Sequence, residues 1–141
     1  MLVLDANILI RAVLGVRVHY LLYKFGGEID FVAPNTAFQE ARQQLPAIAK
    51  RRAMPISPIL TALDELGILI RTVETETYAR FEVVARQRLF RRDENDWPIL
   101  ATALALGCPI WTEDTDFFGC GVATWTSDRI ELFLEQAGPE S

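Results

Sequence analysis

Six acidic side chains adjoin apolar stretches of the sequence, and they are the groups best placed to do chemistry. They are Asp5, Glu40, Asp93, Asp96, Asp114 and Asp116. An ionised carboxylate beside buried apolar surface costs free energy unless it is paired with a cation or binds a metal. Only two lysines, Lys24 and Lys50, are present to pair with them. We therefore expect the six acids to converge on a hard divalent cation, as carboxylates do in many sites that cleave phosphodiesters.

Short apolar runs alternate with amphipathic segments along the chain. The apolar runs predict strands at 2–4, 29–33, 68–73, 109–111 and 122–125. The amphipathic segments predict helices at 7–14, 18–25, 36–46, 58–66, 76–90, 96–106 and 126–136. In this interpretation Ser57 caps a helix that starts at Pro58, and the preceding helix ends or kinks near Pro46. The alternation predicts an α/β fold whose parallel sheet is covered on both faces.

The predicted sheet can bring the acids together, because ligands of open parallel sheets bind beyond the carboxyl ends of the strands. Asp5 closes the first predicted strand, and Asp114 and Asp116 follow the fourth. Asp96 begins the helix that leads into the fourth strand, and Glu40 lies in the helix after the second. All of them can reach one edge of the sheet. Carboxylate oxygens without imidazole suit Mg²⁺ or Mn²⁺.

Each acid taken alone has a simpler interpretation. Asp96 fits a helix cap, and Asp114 could cap a short turn through Phe117. Glu40 alone would be an ordinary solvated residue on a helix. Asp5 is the hardest to explain in this way, because it closes an apolar strand. The simpler interpretations would all have to hold independently, which favours a shared site.

The ordered set of acids resembles the PIN-domain family. The resemblance rests on LVLDAN at 2–7, AFQEAR around Glu40, RRDENDWPILATALALGCPIWTEDTDFFGCG at 91–121 and the following VATWTS. Its most specific part is the order Asp, Glu, D-x-x-D-W-P-ILA and T-E-D-T-D-F, which spans nearly the whole chain. The resemblance implies a three-layer α/β/α sandwich with a central parallel sheet of four to five strands.

The resemblance also implies an activity and a set of site residues. Its main acidic positions correspond to Asp5, Glu40, Asp96 and Asp114, which are expected to be catalytic and to hold Mg²⁺ or Mn²⁺. Asp116 corresponds to a frequent additional metal ligand. Supporting positions are expected at Asp93, Asp116, Asn7 and Thr112. The implied protein is a metal-dependent single-strand endoribonuclease, similar to the VapC-type toxin of a type II toxin–antitoxin pair, usually a homodimer inhibited by its antitoxin.

The charge balance allows an RNA substrate. The net charge of −5 argues at first against a nucleic-acid partner. Without the six acids, however, thirteen Asp and Glu residues face fourteen Lys and Arg residues. Arg91 and Arg92 directly precede the acids at 93–96, so we expect them to contact RNA phosphates. A second basic segment at 42–52 is equally consistent with solvated helix faces.

Two other classes of α/β protein with acids at strand ends fit the sequence less well. A phosphorylated receiver domain needs a lysine after a late strand, and residues 108–127 contain none. A haloacid-dehalogenase-like phosphatase needs an aspartate at position 7, where the chain has Asn7. The main alternative is a non-catalytic module that binds RNA or a protein on a PIN-like fold. Such a module does not need the metal, so calorimetric titration with Mn²⁺ separates the two hypotheses.

Length and composition set the remaining expectations. The 141 residues predict a single domain at 1–137 with a frayed tail at 138–141. No apolar run approaches the roughly 20 residues that span a membrane, and the apolar start lacks a basic leader, so we expect a cytoplasmic protein. Cys108 and Cys120 form no CxxC and are expected to be reduced, and His19 is the single histidine. Zinc and histidine-based catalysis are therefore not expected.

Overall fold

The computed structural model describes residues 1–137, and the predicted tail at 138–141 lies outside the described residues. Five short strands form one sheet: β1 (Leu2–Leu4), β2 (Phe31–Pro34), β3 (Ile70–Val73), β4 (Ile110–Trp111) and β5 (Thr124–Trp125). Every neighbouring pair is parallel, in the order β3-β2-β1-β4-β5. The predicted parallel sheet of four to five strands is confirmed.

Helices cover both faces of the sheet. They are α1 (Ala6–Leu14), α2 (Arg17–Phe25), α3 (Asn35–Arg51), α4 (Ile56–Leu66), α5 (Thr75–Tyr78), α6 (Glu82–Arg88), α7 (Trp97–Leu106) and α8 (Ile130–Gln136). Short 3-10 turns lie at Ala79–Phe81, Glu94–Asp96 and Thr115–Phe117. Helices α1, α3 and α4 pack together with α2 against α1, while α5 and α6 pack on α7, which contacts β1 and β2. This is the three-layer α/β/α sandwich that the sequence predicts.

Helix α7 forms the centre of its layer because it is apolar on nearly every side. Residues 98–103 are all buried, as expected for such a helix. Their one side-chain hydroxyl, that of Thr102, donates to the Pro98 carbonyl at 2.6 Å. The helix ends at Gly107, whose φ of +65° lies in the left-handed region that favours glycine. The acid that precedes this helix, Asp96, is therefore attached to a firmly packed element.

The helix was predicted to end or kink near Pro46, and the predicted end is wrong, because α3 continues to Arg51. A proline inside a helix removes one backbone hydrogen bond, at a cost of about 3 kcal/mol. Ala41, Leu45 and Ala49 are buried along one face on both sides of this position. Tertiary packing of such a face supplies most of the stability of a helix in a protein, and here it carries α3 through the proline.

The predicted cap at Ser57 is also wrong. Helix α4 begins at Ile56 with Pro55 at the cap position, and no side chain caps it. Ser57 and Pro58 lie in the first turn, where a proline loses no hydrogen bond that the helix would otherwise make. The helix ends at Gly67 as predicted.

The single helix predicted at 76–90 is divided into α5, a 3-10 turn and α6. The division follows Tyr78, a buried side chain whose hydroxyl donates to Asn35 Oδ1 at 2.6 Å. This contact with the start of α3 competes with the local helical preference.

The last helix begins at Ile130, later than the predicted 126. Within residues 1–137, no helix combines the length and the apolar character needed to cross a membrane.

Candidate metal centre

Asp5 lies at the carboxyl end of β1 and is the cap residue of α1. Only 5% of it is exposed. Its Oδ1 accepts the Ala6 N–H at 2.7 Å, and its Oδ2 accepts the Thr112 hydroxyl at 2.8 Å and the Asn7 amide at 3.0 Å. Burial raises the pKa of Asp5, these hydrogen bonds oppose the rise, and the nearby charge of Asp114 adds to it.

A polar network joins the ends of β1 and β4, because Leu4 is paired with Trp111 in the sheet and the next residues, Asp5 and Thr112, become neighbours. Thr112 Oγ1 also accepts the Asp114 N–H at 2.9 Å and the Asn7 amide at 3.3 Å. The Glu113 N–H donates to Asn7 Oδ1 at 3.2 Å. Asn7 and Thr112 therefore hold Asp5 in place, and Thr112 also holds the backbone at Asp114. Their role as supporting residues of a metal site remains a prediction.

Asp114 caps the 3-10 turn Thr115–Phe117 by accepting the Asp116 N–H at 2.9 Å through Oδ1. The simple interpretation of this residue as a cap is therefore correct, but it does not exclude a place in the cluster. Its carboxylate acts electrostatically on both Asp96 and Asp5. A carboxylate has two oxygens, so it can cap a turn and face a second group.

Asp96 occupies the cap position of α7, but its side chain makes no capping hydrogen bond. It faces the other acids instead. Burial, the charges of Asp5 and Asp93, and the hydrogen bond and charge of Asp114 together raise the pKa of Asp96 to about 8. Asp96 is therefore a cap by its backbone position only, because its side chain does not bond to the helix. Its carboxyl group is held where ionisation is opposed by its surroundings.

Glu40 reaches the same region from α3, where it is half-buried and accepts the Gln44 amide at 3.2 Å. Burial, followed by the charges of Asp5 and Asp93, raises the pKa of Glu40. A cleft of about 350 Å³ lies between the start of α3 and the start of α7. Its polar lining consists of Thr36, Gln39, Glu40, Gln43, Asp93, Asn95 and Asp96. Three of the six predicted acids therefore line one cleft. Asp5 acts electrostatically on Glu40 and Asp96, and Asp114 acts on Asp96.

Asp93 and Asp116 relate to the other acids in different ways. Asp93 is exposed and caps its own 3-10 turn by accepting the Asn95 N–H at 3.1 Å. Its charge raises the pKa of both Glu40 and Asp96, so it belongs to the cluster electrostatically. Asp116 contributes to none of the raised pKa values, and its backbone contacts the neighbouring segments. As a metal ligand, Asp116 remains a prediction.

The clustered acids have no basic partner within residues 1–137. The ion pairs in this part of the chain are Arg11–Glu113, Arg17–Glu131, Arg42–Asp64, Arg71–Asp30 and Arg86–Glu82. The donor set consists of oxygen atoms, which suits Mg²⁺ or Mn²⁺. No three His, Cys, Asp or Glu side chains in the described range already enclose a point where an ion could sit. The residues fit a hard cation by their chemistry, and their side chains have to close further around it.

The two arginines predicted to contact RNA have different surroundings. Arg91 is exposed, with its guanidinium 5.4 Å from the centre of the Phe90 ring. Arg92 Nη1 donates to the carbonyls of Asp116 at 2.7 Å and Phe118 at 2.6 Å. Part of the Arg92 guanidinium is therefore committed to the protein backbone, whereas that of Arg91 faces solvent.

Glu113 makes polar contacts that were not predicted from the sequence. Its Oε1 accepts the Ser127 N–H at 2.7 Å, and its Oε2 lies 3.9 Å from Arg11. The contact ties the segment after β4 to the segment after β5. The position inside T-E-D was visible in the sequence, but its partner lies fourteen residues away, beyond a loop whose path the sequence does not define.

Comparison with known proteins agrees with this architecture. A family model described as the PIN domain matches residues 3–135, and no curated protein matches the chain. A chain in the crystal structure of VapBC2 from Rickettsia felis, bound to a DNA fragment from their promoter, aligns with a TM-score of 0.70. The alignment covers 89% of this chain and 97% of that chain at 14% sequence identity, which shows a shared fold. The chain therefore belongs to the PIN domain family.

Proposed function

We propose that this protein is a metal-dependent endoribonuclease that cleaves single-stranded RNA at the cluster formed by Asp5, Glu40, Asp96 and Asp114. The observation that supports it best is a group of carboxylates that repel one another at the carboxyl end of the sheet, with no basic partner in residues 1–137. Such a cluster is unfavourable unless positive charge is added, and perturbed acids of this kind are typical of functional sites.

The proposed cofactor is Mg²⁺ or Mn²⁺, which when bound lowers the pKa of water and stabilises the charge that develops on a phosphate. The four carboxylates would hold it. Thr112, Asn7 and the Ala6 N–H fix the orientation of Asp5, so this ligand needs little reorganisation on binding. Asp96 makes no capping bond, so its oxygens are available to a cation.

The proposed substrate is a polyanion, and the exposed Arg91 near the acids offers a contact for a phosphate beside the cleft. Phosphate contacts from arginine are electrostatic and weaken as salt is added. The preference for single strands rests on the family resemblance. Competition between single-stranded and double-stranded RNA of the same sequence measures it directly.

We further propose that the protein is the toxin of a type II toxin–antitoxin pair, acting in the cytoplasm as a homodimer. The shared fold with a chain of the VapBC2 complex supports this role. The exposed side chains Val16, Tyr20 and Tyr23 at and beside α2 offer apolar surface to a protein partner. A small antitoxin-like reading frame immediately upstream of the gene would support the pairing, and its product should inhibit cleavage when co-expressed.

Cleavage of labelled single-stranded RNA by the purified protein tests the activity. We expect cleavage with Mn²⁺ and none in excess EDTA. Asp5→Asn should abolish cleavage while leaving the fold nearly intact, because asparagine keeps the size of the side chain and removes its charge. An Asp5→Asn protein that cuts RNA as fast as the parent in Mn²⁺ would show that the assignment is wrong.

A further inference from the structure

Two arginines four residues apart hold the loop that follows the fourth strand. We call residues 114–121 the acid loop, because it begins with Asp114. Arg92 Nη1 donates to the carbonyls of Asp116 and Phe118 at 2.7 and 2.6 Å, and Arg88 Nη1 donates to that of Cys120 at 3.2 Å. Hydrogen bonds from a charged donor are shorter and stronger than those between neutral groups. The acid loop is thus anchored near both of its ends.

The backbone of the acid loop is shaped around these guanidinium groups. Gly119 and Gly121 have φ of +81° and +92°, which L-residues with side chains rarely adopt. A Cβ atom at Gly121 would lie 2.7 Å from Arg88 Nη1, and one at Gly119 would lie 3.6 Å from Arg92 Nη2. Glycine at 121 therefore provides both the backbone conformation and the space that Arg88 needs.

The arginines belong to the segment that carries the other acids. The chain turns after α6, where Arg91 adopts a φ of +66° and the Arg92 N–H donates to the Leu89 carbonyl at 2.8 Å. Asp93 and the turn that ends at Asp96 follow immediately. Arg92 thus connects two segments that each contribute an acid to the cluster.

The contacts bring in positive charge without neutralising the cluster. Both arginines donate to backbone carbonyls, and neither forms an ion pair with an acid in the part of the chain that the structure describes. Asp96 ends the turn that follows Arg92, Asp114 precedes the turn of the acid loop, and the like charges of two carboxylates repel. The arginine hydrogen bonds between their two segments oppose that repulsion and keep both carboxylates available to a cation.

We propose that Arg88 and Arg92 are positioning residues that hold the acid loop against the 92–96 segment, so that Asp114 and Asp96 stay close enough to close around one divalent cation. This inference rests on the proposed function. It assigns Arg92 a structural link to the site in place of the phosphate contact predicted from its position in the sequence.

The test compares Arg92→Ala, Arg92→Lys and Arg88→Ala with Arg80→Ala as the matched control. Arg80 lies over the Phe81 ring in a 3-10 turn, and within residues 1–137 its side chain makes no hydrogen bond or ion pair with the acid loop. Hydrogen exchange is followed at the Phe118 and Cys120 amides, which bond to carbonyls within the loop. Mn²⁺ affinity is obtained from the dependence of Tm on Mn²⁺ concentration, and RNA affinity is measured in EDTA.

We expect Arg92→Ala to speed exchange at both amides and to weaken Mn²⁺ binding by about 10-fold or more, as loss of an outer-shell partner does. RNA affinity in EDTA should not change. Arg88→Ala should act in the same direction with a smaller effect, because Arg88 donates to one carbonyl of the loop and Arg92 donates to two. Arg92→Lys should recover part of the loss, because the ammonium group keeps the positive charge. The recovery should be incomplete, because lysine lacks the planar guanidinium group that donates to two carbonyls at once. It also serves as the folded variant if Arg92→Ala does not fold.

An Arg92→Ala protein that exchanges like the parent and binds Mn²⁺ within about twofold of it would overturn the inference. If the same variant binds RNA more weakly in EDTA, Arg92 is a phosphate contact. A parent protein that binds no Mn²⁺ would contradict the proposed function itself, so the two failures are distinguishable.

Discussion

The two ends of the central sheet hold carboxylates in opposite ways. At the amino end of β2, Asp30 is half exposed and lies 3.2 Å from Arg71. At the carboxyl end of β1, Asp5 is almost fully buried and has no basic partner in residues 1–137. Stability alone favours the reverse arrangement, because an unpaired charge is costly where it is buried and harmless where water reaches it. This reversal is what the metal site that we propose at the carboxyl end would require.

The largest effect is expected from removing one charge at each end of the sheet. Asp96→Asn should lower RNA cleavage by at least about 100-fold, since even an outer-shell partner of a metal is worth about 10- to 100-fold. Asp30→Asn removes a surface ion pair and should leave cleavage within about twofold of the parent. Initial rates in saturating Mn²⁺ provide the measurement. Equal losses in the two variants would mean that the ends are not different.

A smaller effect is expected from the side chain that orients Asp5. Thr112→Val preserves the shape of the residue and removes the hydroxyl that bonds to Asp5 and to the Asp114 N–H. We expect Mn²⁺ affinity to fall by about 10- to 100-fold. Thr72→Val, at an exposed position of β3, is the matched control and should leave the affinity unchanged. A normal affinity in Thr112→Val would remove this residue from the site.

The pH dependence of stability tests the repulsion at the carboxyl end. The pKa of Asp96 is raised from 3.8 to about 8, so between these values the folded protein holds a proton that the unfolded chain releases. The metal-free protein should therefore lose stability as pH rises through this window. Asp96→Asn should reduce the slope, and Asp30→Asn should retain it. Urea unfolding in EDTA at several pH values gives the slopes, and a parent whose stability rises across this range would contradict the prediction.

The smallest effect is expected at Arg91. Arg91→Ala should weaken RNA binding modestly and reduce the slope of log affinity against log salt by about 1, as expected for one lost phosphate contact. Mn²⁺ affinity should not change, in contrast to Arg92→Ala. Binding measured in EDTA at several salt concentrations separates these effects. An unchanged salt slope would exclude a phosphate contact by Arg91.

The sequence predicted the parts of the fold that short-range patterns determine. The buried strands are short apolar runs, and an acid such as Asp5 at the end of such a run marks the edge where ligands bind. The predictions that failed depended on distant contacts. Burial on both sides of Pro46 carries α3 past a residue that locally ends helices, and the bond from Tyr78 to Asn35 accompanies the break in the helix predicted at 76–90.

The candidate site also combines features that short-range patterns indicate with features that depend on distant contacts. Asn7 and Thr112 were expected near the acids through the family resemblance alone, and the pairing of β1 with β4 is what brings Thr112 beside Asp5 in the structure. The electrostatic effect of Asp93 on Glu40 and Asp96 could not be predicted, because it depends on how the 3-10 turn at 94–96 directs the side chains around it. The contact of Arg92 with the acid loop was equally inaccessible, because it joins carbonyls more than twenty residues away.

Calorimetric titration of the metal-free protein with Mn²⁺ near neutral pH tests the central claim most directly. We expect a saturable heat for the parent, retained in Asp30→Asn and lost in Asp5→Asn, together with proton release as the carboxyl groups of raised pKa ionise. Absence of heat at millimolar Mn²⁺ in the folded parent would contradict it, and the protein would then be better described as a non-catalytic binding module on a PIN-domain fold.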